Sequence, residues 1–245
     1  MRVPDVVIEA LMRDEGLGHY ARPLYLLICA AEPKSMSELA RLAGMSRNVV
    51  ARVCRNLADL DWVKLIPDKR QVRPAPHIPH VVQESLVEEL TVQYSMAPNK
   101  GEFLCKKRVE LWIRDDTYVD NARPEFMTNP TSNEPMECDR IHPRAKLHVE
   151  FHGWQHYGPT RMFSKKESRE QQARDLMKGR LCEKNGYTFV EVSPDDLKPG
   201  VLEAKLDAVR PDLRRAYIDV DGPYYQELMR LCSAYAAKAA QDRPE

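Results

Sequence analysis

The stretch Glu137-Cys138-Asp139-Arg140-Ile141, with Val149-Glu150-Phe151-His152-Gly153-Trp154-Gln155-His156-Tyr157 after it, decides how this chain is read. Apolar and polar positions alternate over Met136 to Ile141 and again over Ala145 to Phe151, and Pro143 breaks the run between them. The pattern predicts two short adjacent strands. Asp139 stands eleven residues before Glu150, and neighbouring strands converge two such carboxylates. A hard divalent cation such as magnesium takes a few carboxylate oxygens and keeps several waters, so the pair is a candidate metal cradle.

Working outward, Gln171 to Lys178 reads as a helix and Gly186 as its stop, followed by the β-branched and aromatic run Tyr187 to Val192. A helix that returns to a strand beside two others predicts a mixed sheet flanked by helices. Cys182 and Tyr187 read as core. Val201 to Val209 and Tyr224 to Ala240 read as helices that cover the sheet or mediate self-association. Asp115 to Pro135 reads as loops around one strand near Ala122 to Met127.

The segments Asn121 to Met127, Glu137 to Asp139, Val149 to Tyr157 and Gln171 to Lys178 together resemble the PD-(D/E)XK, or restriction-endonuclease-like, nuclease superfamily. Within it they are most similar to the very-short-patch-repair-like and homing-endonuclease-like branches. The resemblance covers roughly residues 100 to 197 and rests on four motifs in order. It implies a magnesium-dependent endodeoxyribonuclease, with manganese as the substitute ion and double-stranded DNA as the partner. It implies that Asp139 and Glu150 are the two metal carboxylates. Glu102, at the start of the helical stretch Glu102 to Trp112, becomes the helix acid.

The chain departs from the superfamily pattern at one position, because His152 fills the slot two residues after the second acid where lysine is usual. The resemblance suggests either Lys178 on the following helix or a polar group of the turn, Gln155 or His156, as the replacement. Lys178 is favoured, since Asp175 and Lys178 stand at i and i+3 and share a helical face. A lysine there would steady the scissile phosphate or the attacking water. The plainer reading of the same spacing is an exposed surface pair.

Four of the seven histidines, His142, His148, His152 and His156, fall within fifteen residues. His152 and His156 have the i, i+4 interval that suits zinc on a helix. Gly153 between them predicts a turn instead, which makes zinc the lesser reading. None of the six cysteines forms a Cys-x-x-Cys pair. A histidine beside magnesium more readily contacts phosphate or shuttles a proton.

The N-terminal third carries a second signal. Ser35-Met-Ser-Glu38 is a capping-box pattern before the helix Ser37 to Ala43, and Gly44-Met45 turns the chain toward Ser46 and a second helix. That succession predicts a helix-turn-helix. Val49, Val50, Val53, Leu57 and Leu60 follow one buried stripe, which turns Arg47, Asn48, Arg52 and Arg55 outward as a reader of base edges requires. Trp62 to Ile66 and Arg70 to Arg73 read as two strands around a Pro67-Asp68-Lys69 turn. Lys64, Lys69, Arg70 and Arg73 are then placed to meet phosphates. The segment from Val6 to Arg73 is similar to bacterial winged helix-turn-helix domains, a fold that also serves as a protein-docking or dimerisation module.

Composition permits two such modules. Lysine plus arginine equals aspartate plus glutamate at 37 each over 245 residues, so no overall basic charge advertises a nucleic-acid partner and local distribution must supply it. Scattered cysteines point to a reducing compartment. No apolar run is long enough to span a bilayer, and Asp5 and Glu9 occupy the place of a signal-peptide core, so a cytoplasmic protein without a membrane partner is expected.

The expected organisation is a winged helix-turn-helix over residues 1–76, a linker and helix over 77–98, and a nuclease-like domain with C-terminal helices over 99–245. The fold class is α+β, with a mixed sheet in the second domain. The expected activity is metal-dependent cutting or nicking of DNA, alone, as a homodimer, or with partner proteins of a defence or mobile-element system. The alternative is a non-catalytic DNA-binding regulator or assembly protein that retains the nuclease-like fold.

Overall fold

Capped helices and a hairpin organise the first part of the chain, and a four-stranded mixed sheet organises the second. The structure, a computed structural model, describes every residue except 1–4, 32, 34, 67–70, 75–79, 116, 161–162, 216–217, 219 and 245. The chain divides into two units, Met1–Val92 with Ala216–Glu227, and Gln93–Arg215 with Leu228–Glu245. Among the described residues no helix is long and apolar enough to cross a membrane.

In the first unit, α1 (Asp5–Arg13) and α2 (Ala21–Ala31) lead into α3 (Met36–Ala43) and α4 (Arg47–Asp59). Helix α3 starts where Ser35 Oγ accepts from the Glu38 amide at 3.1 Å. It stops at Gly44, whose φ of 63° is the left-handed conformation glycine tolerates best. Ser46 then caps α4 by accepting from the Val49 amide. Val50, Val53, Cys54 and Leu57 bury one stripe of α4, which packs on α2 and α3. Trp62 closes this core with its ring edge-on to Tyr25 and its Nε1 donating to Asp14 Oδ2 at 2.7 Å.

Strands β1 (Val63–Ile66) and β2 (Gln71–Pro74) pair antiparallel, with Lys64 opposite Arg73 and Leu65 opposite Val72. The second strand ends one residue later than expected, at Pro74, which pairs with Val63. The final pair of a two-stranded sheet tolerates a residue without an amide hydrogen. The expected Pro67–Lys69 turn, with Lys69 and Arg70, and residues 77–79 of the expected linker lie outside the described residues. Helices α5 (His80–Met96) and α9 (Pro223–Ala239) each contain a boundary between the two units.

The second unit contains α6 (Lys100–Trp112), β3 (Val119–Ala122), β4 (Cys138–His142), β5 (Leu147–Phe151), α7 (Lys165–Lys184), β6 (Thr188–Val192) and α8 (Val201–Val209). The sheet order is β3-β4-β5-β6. The β3–β4 and β4–β5 pairs are antiparallel, and β5–β6 is parallel with α7 as its crossover. Ser164 and Glu167 form a reciprocal capping box that starts α7. The strand expected at Ala122 to Met127 lies earlier. Pro124 cannot donate to a ladder, and its carbonyl instead accepts from the Met127 amide at 2.8 Å, a turn that drops Met127 into the core with Met136, Cys138, Ile141 and Cys182.

Successive residues of β4 and β5 point to opposite faces, and each face receives a helix. Helix α7 takes the side of His148 and Glu150, through His148–Cys182 and Glu150–Lys178 contacts. Helix α6 takes the side of Arg140, whose Nη1 donates to the Lys106 carbonyl at 2.8 Å. A buried Arg108–Glu203 ion pair ties α6 to α8, and Trp112 Nε1 adds a 2.8 Å bond to Asp207.

Candidate functional site

Strand β5 and helix α7 meet as two matched ladders. Alternate strand residues rise roughly 6.6 Å apart, and helix residues three or four apart rise roughly 4.5 to 6 Å, so the two sets stay nearly in step. His148 Nδ1 lies 3.2 Å from Cys182 Sγ, Glu150 bonds Lys178, and His152 Nε2 comes within 3.8 Å of Asp175. The two ladders run antiparallel. This explains how a lysine 28 residues away in sequence reaches the second acid of the strand pair.

Asp139 joins this row from β4. The β4–β5 register pairs Arg140 with Val149 and Ile141 with His148, and Asp139 lies one residue before it, near enough for the Glu150 charge to act on it. Asp139 Oδ2 accepts from the Phe151 amide at 2.8 Å. Burial and then the Glu150 charge push Asp139 up to about 7, and Glu102 on α6 raises it further. Burial acts to raise Glu150 too, but His148 and Lys178 outweigh it and hold Glu150 down at about 2. Two nearby carboxylates in a desolvated place resist carrying two charges, and a divalent cation would relieve that conflict.

The surroundings supply further polar groups. Lys106 Nζ bonds Glu102 and lies 2.7 Å from Asn121 Oδ1, and Asn99 Nδ2 donates to Glu102 at 3.1 Å. His148 Nε2 and Glu150 Oε2 approach to 2.7 Å, but neither atom makes a directed hydrogen bond. Asp139, Glu150 and Glu102 offer carboxylate oxygens only, the donor type magnesium and manganese take, but among the described residues their oxygens are not drawn together within 4.8 Å of one another.

His152, in the usual lysine slot, is 2% exposed and turns toward α7 and not toward Asp139. Its ring stacks on His156 with centroids 4.3 Å apart and planes 8° from parallel. His156 Nδ1 lies 2.7 Å from Asp175 Oδ2, and Gln171 Nε2 donates to Asp175 Oδ1 at 3.0 Å. Burial pushes His152 down to about 4. Burial acts to raise Asp175, yet the bond from His156 and the nearness of His152 bring it below the usual carboxylate range. Residues Trp154–His156 form a single 3-10 turn, as Gly153 between the histidines led us to expect. The Gln155 side chain folds back over Gly153.

Of the sequence-derived residues, the structure thus gathers Glu102, Asp139, Glu150 and Lys178 at one place, sets His156 with Asp175 beside it, and leaves Gln155 at the turn. Arg174, which shares the i, i+4 spacing with Lys178, points to solvent. His148 and Lys106 were missed. The His148–Glu150 spacing of two within a strand was the available signal, because i and i+2 share a face. In the first unit Arg47, Asn48, Arg52 and Arg55 are all exposed on α4, and Lys64 and Arg73 are exposed as a cross-strand pair.

Comparison with known proteins finds viral relatives. The chain is 35% identical over 96 residues to uncharacterised protein 033L of Invertebrate iridescent virus 3, covering 38% of this chain and 48% of that one. It is 32% identical over 130 residues to uncharacterised protein 307L of Invertebrate iridescent virus 6, covering 45% and 64%. A third similarity, 28% over 109 residues, is to uncharacterised protein 094L of Frog virus 3 (isolate Goorha), covering 41% and 65%. The chain therefore spans about half to two thirds of the length of the curated relatives it matches. No protein-family profile matches it, and no solved structure matches it.

Proposed function

We propose that this chain is a magnesium-dependent DNA endonuclease or nickase of the PD-(D/E)XK type, positioned on duplex DNA by a winged helix and working in the cytoplasm. The observation that carries the reading is the Lys178–Glu150 contact beside Asp139. It supplies a lysine where His152 leaves the usual slot without one.

Asp139 and Glu150 would hold the ion, with Glu102 assisting from α6. A bound divalent ion would polarise the phosphodiester and help generate the nucleophile at neutral pH. Lys178 would turn from Glu150 toward the phosphate and neutralise charge that grows on its oxygens. His156, bonded to Asp175, sits beside this group. Strands β4 and β5 hold the acids on rigid backbone, and α7 holds the lysine.

DNA positioning rests on the exposed α4 face. Arg47, Asn48, Arg52 and Arg55 would face the major groove, with Lys64 and Arg73 against flanking phosphates.

Incubation of the purified chain with supercoiled plasmid in magnesium, manganese or EDTA tests the reading, with Asp139→Ala alongside. Nicked or linear product that needs metal and vanishes in the variant is the expected result. The competing reading, a non-catalytic DNA-binding protein, draws on His152 at the lysine slot; a gel shift with intact plasmid in every metal would favour it.

A further inference from the structure

We propose that His152, His156 and Asp175 form a second cation site, one that takes a divalent transition metal of the zinc class. The inference stands on its own geometry and does not depend on DNA cleavage. One ligand atom from each residue lies within 4.8 Å of the others. The three come from separate pieces of the fold: His152 just past β5, His156 in the Trp154–His156 turn, and Asp175 in α7.

A second observation points to a ligand. His152 Nε2 is fully buried, has no hydrogen-bond partner among the described residues, and faces Asp175 Oδ1 at 3.8 Å. A buried imidazole nitrogen left without a partner is unfavourable, and a metal ion satisfies it. The rings of His152 and His156 stack nearly parallel, and one nitrogen of each lies within 4.8 Å of an Asp175 carboxylate oxygen.

The surroundings fit the same purpose. Metal-bound histidines commonly turn their second nitrogen toward a carboxylate, and His152 Nδ1 lies 4.0 Å from Glu191 Oε1. Gln171 orients Asp175 through its 3.0 Å bond. Two imidazoles and one carboxylate favour zinc, cobalt or a similar borderline ion over magnesium, whereas the all-oxygen set around Asp139 has the opposite preference. Three protein ligands leave a fourth position for water. Tyr157 and Glu191, both beside His152, also line a cavity of about 470 Å³ with Trp154 and Lys205, which offers a way in.

The test uses the full chain, stripped with chelator and titrated with zinc alone or cobalt alone. We expect one zinc equivalent whose affinity falls more than about tenfold in His156→Asn and in His152→Asn, while Asp139→Asn leaves it unchanged. The cobalt form should show visible ligand-field bands without a thiolate charge-transfer band. Undiminished zinc affinity in His156→Asn, whose melting curve confirms that it is folded, would overturn the site. A thiolate band, or loss of zinc with Asp139→Asn, would overturn it equally by moving the ion elsewhere. None of these readouts involves cleavage, so an inactive chain with a zinc equivalent would refute the nuclease alone.

Discussion

The α4 face and the β4–β5–α7 cluster are built on opposite terms. On α4 the polar residues Arg47, Asn48, Arg52 and Arg55 stand in solvent, and each owes its position to the buried stripe of its own helix. In the cluster Glu150, His148, His152 and Asp175 are buried, and the carboxyls of Glu150 and Asp175 are held below their ordinary range against burial by neighbours, Lys178 of α7 among those of Glu150 and His156 of the turn beside Asp175. A recognition face can therefore be assembled locally. A site that must hold competing charges out of water needs partners delivered by tertiary packing.

The largest effect expected from breaking this contrast is at the strand acids. Asp139→Ala and Glu150→Ala should each reduce plasmid cleavage at least about 1000-fold, since no neighbouring group replaces a metal-holding carboxylate. DNA affinity should stay within a few-fold, measured by gel shift. Residual cleavage at wild-type rate in the purified double variant would remove these acids from the chemistry.

A smaller loss is expected at Lys178. Lys178→Ala should lower the cleavage rate on the order of 100- to 1000-fold, the range for deleting one donor to a developing charge. His152→Ala should not mimic it if the lysine has moved to α7. Equal losses in both would show that the slot next to the strand still matters, and single-turnover rates would tell the two apart.

Next in size is the α4 face. Arg47→Ala with Arg52→Ala should weaken DNA binding roughly tenfold and relax its sequence preference, while melting stays unchanged. Unaltered affinity across a salt series would turn the face into a protein-docking surface.

The smallest effect is a pH dependence of stability in the second unit. Burial and the Arg140 charge push His142 down to about 4, against Asp115, which pulls it upward, and the more distant Asp120. The unfolded chain then binds a proton at His142 that the folded chain refuses. Stability is therefore full above about pH 6.5 and declines as pH falls toward 4. His152, also pushed down to about 4, acts in the same direction, and Asp139, pushed up to about 7, opposes the two histidines. Denaturant midpoints from pH 7 to pH 5 should fall, and His142→Leu should make the fall shallower. An identical slope in the variant would assign the dependence to other groups.

Much of the local structure was legible. Ser35 and Gly44 bounded α3 because a side-chain oxygen and a left-handed glycine act within a few residues. Val201 to Val209 emerged as α8 with its expected bounds. The strand near Ala122 was misplaced because Asn121 takes φ of 52° and Pro124 turns the chain, and alternation alone registers neither. Asp139 and Glu150 could be read from spacing because hairpin register is nearly local. The Lys178–Glu150 contact, the Lys106–Asn121 contact and the place of Gln155 could not be read from spacing, since each depends on where α6, α7 or the turn settles against the sheet.

By itself the sequence determined which segments are helix or strand, which faces are apolar, and which residue types could hold an ion or face DNA. Those properties follow from hydrogen bonding and periodicity over a few residues. Tertiary structure alone decided that Lys178 meets Glu150 while His152 turns to Asp175. That choice comes from the antiparallel register of α7 against β5, fixed by the buried strand and by the few buried positions of the helix, Ser168, Asp175 and Cys182.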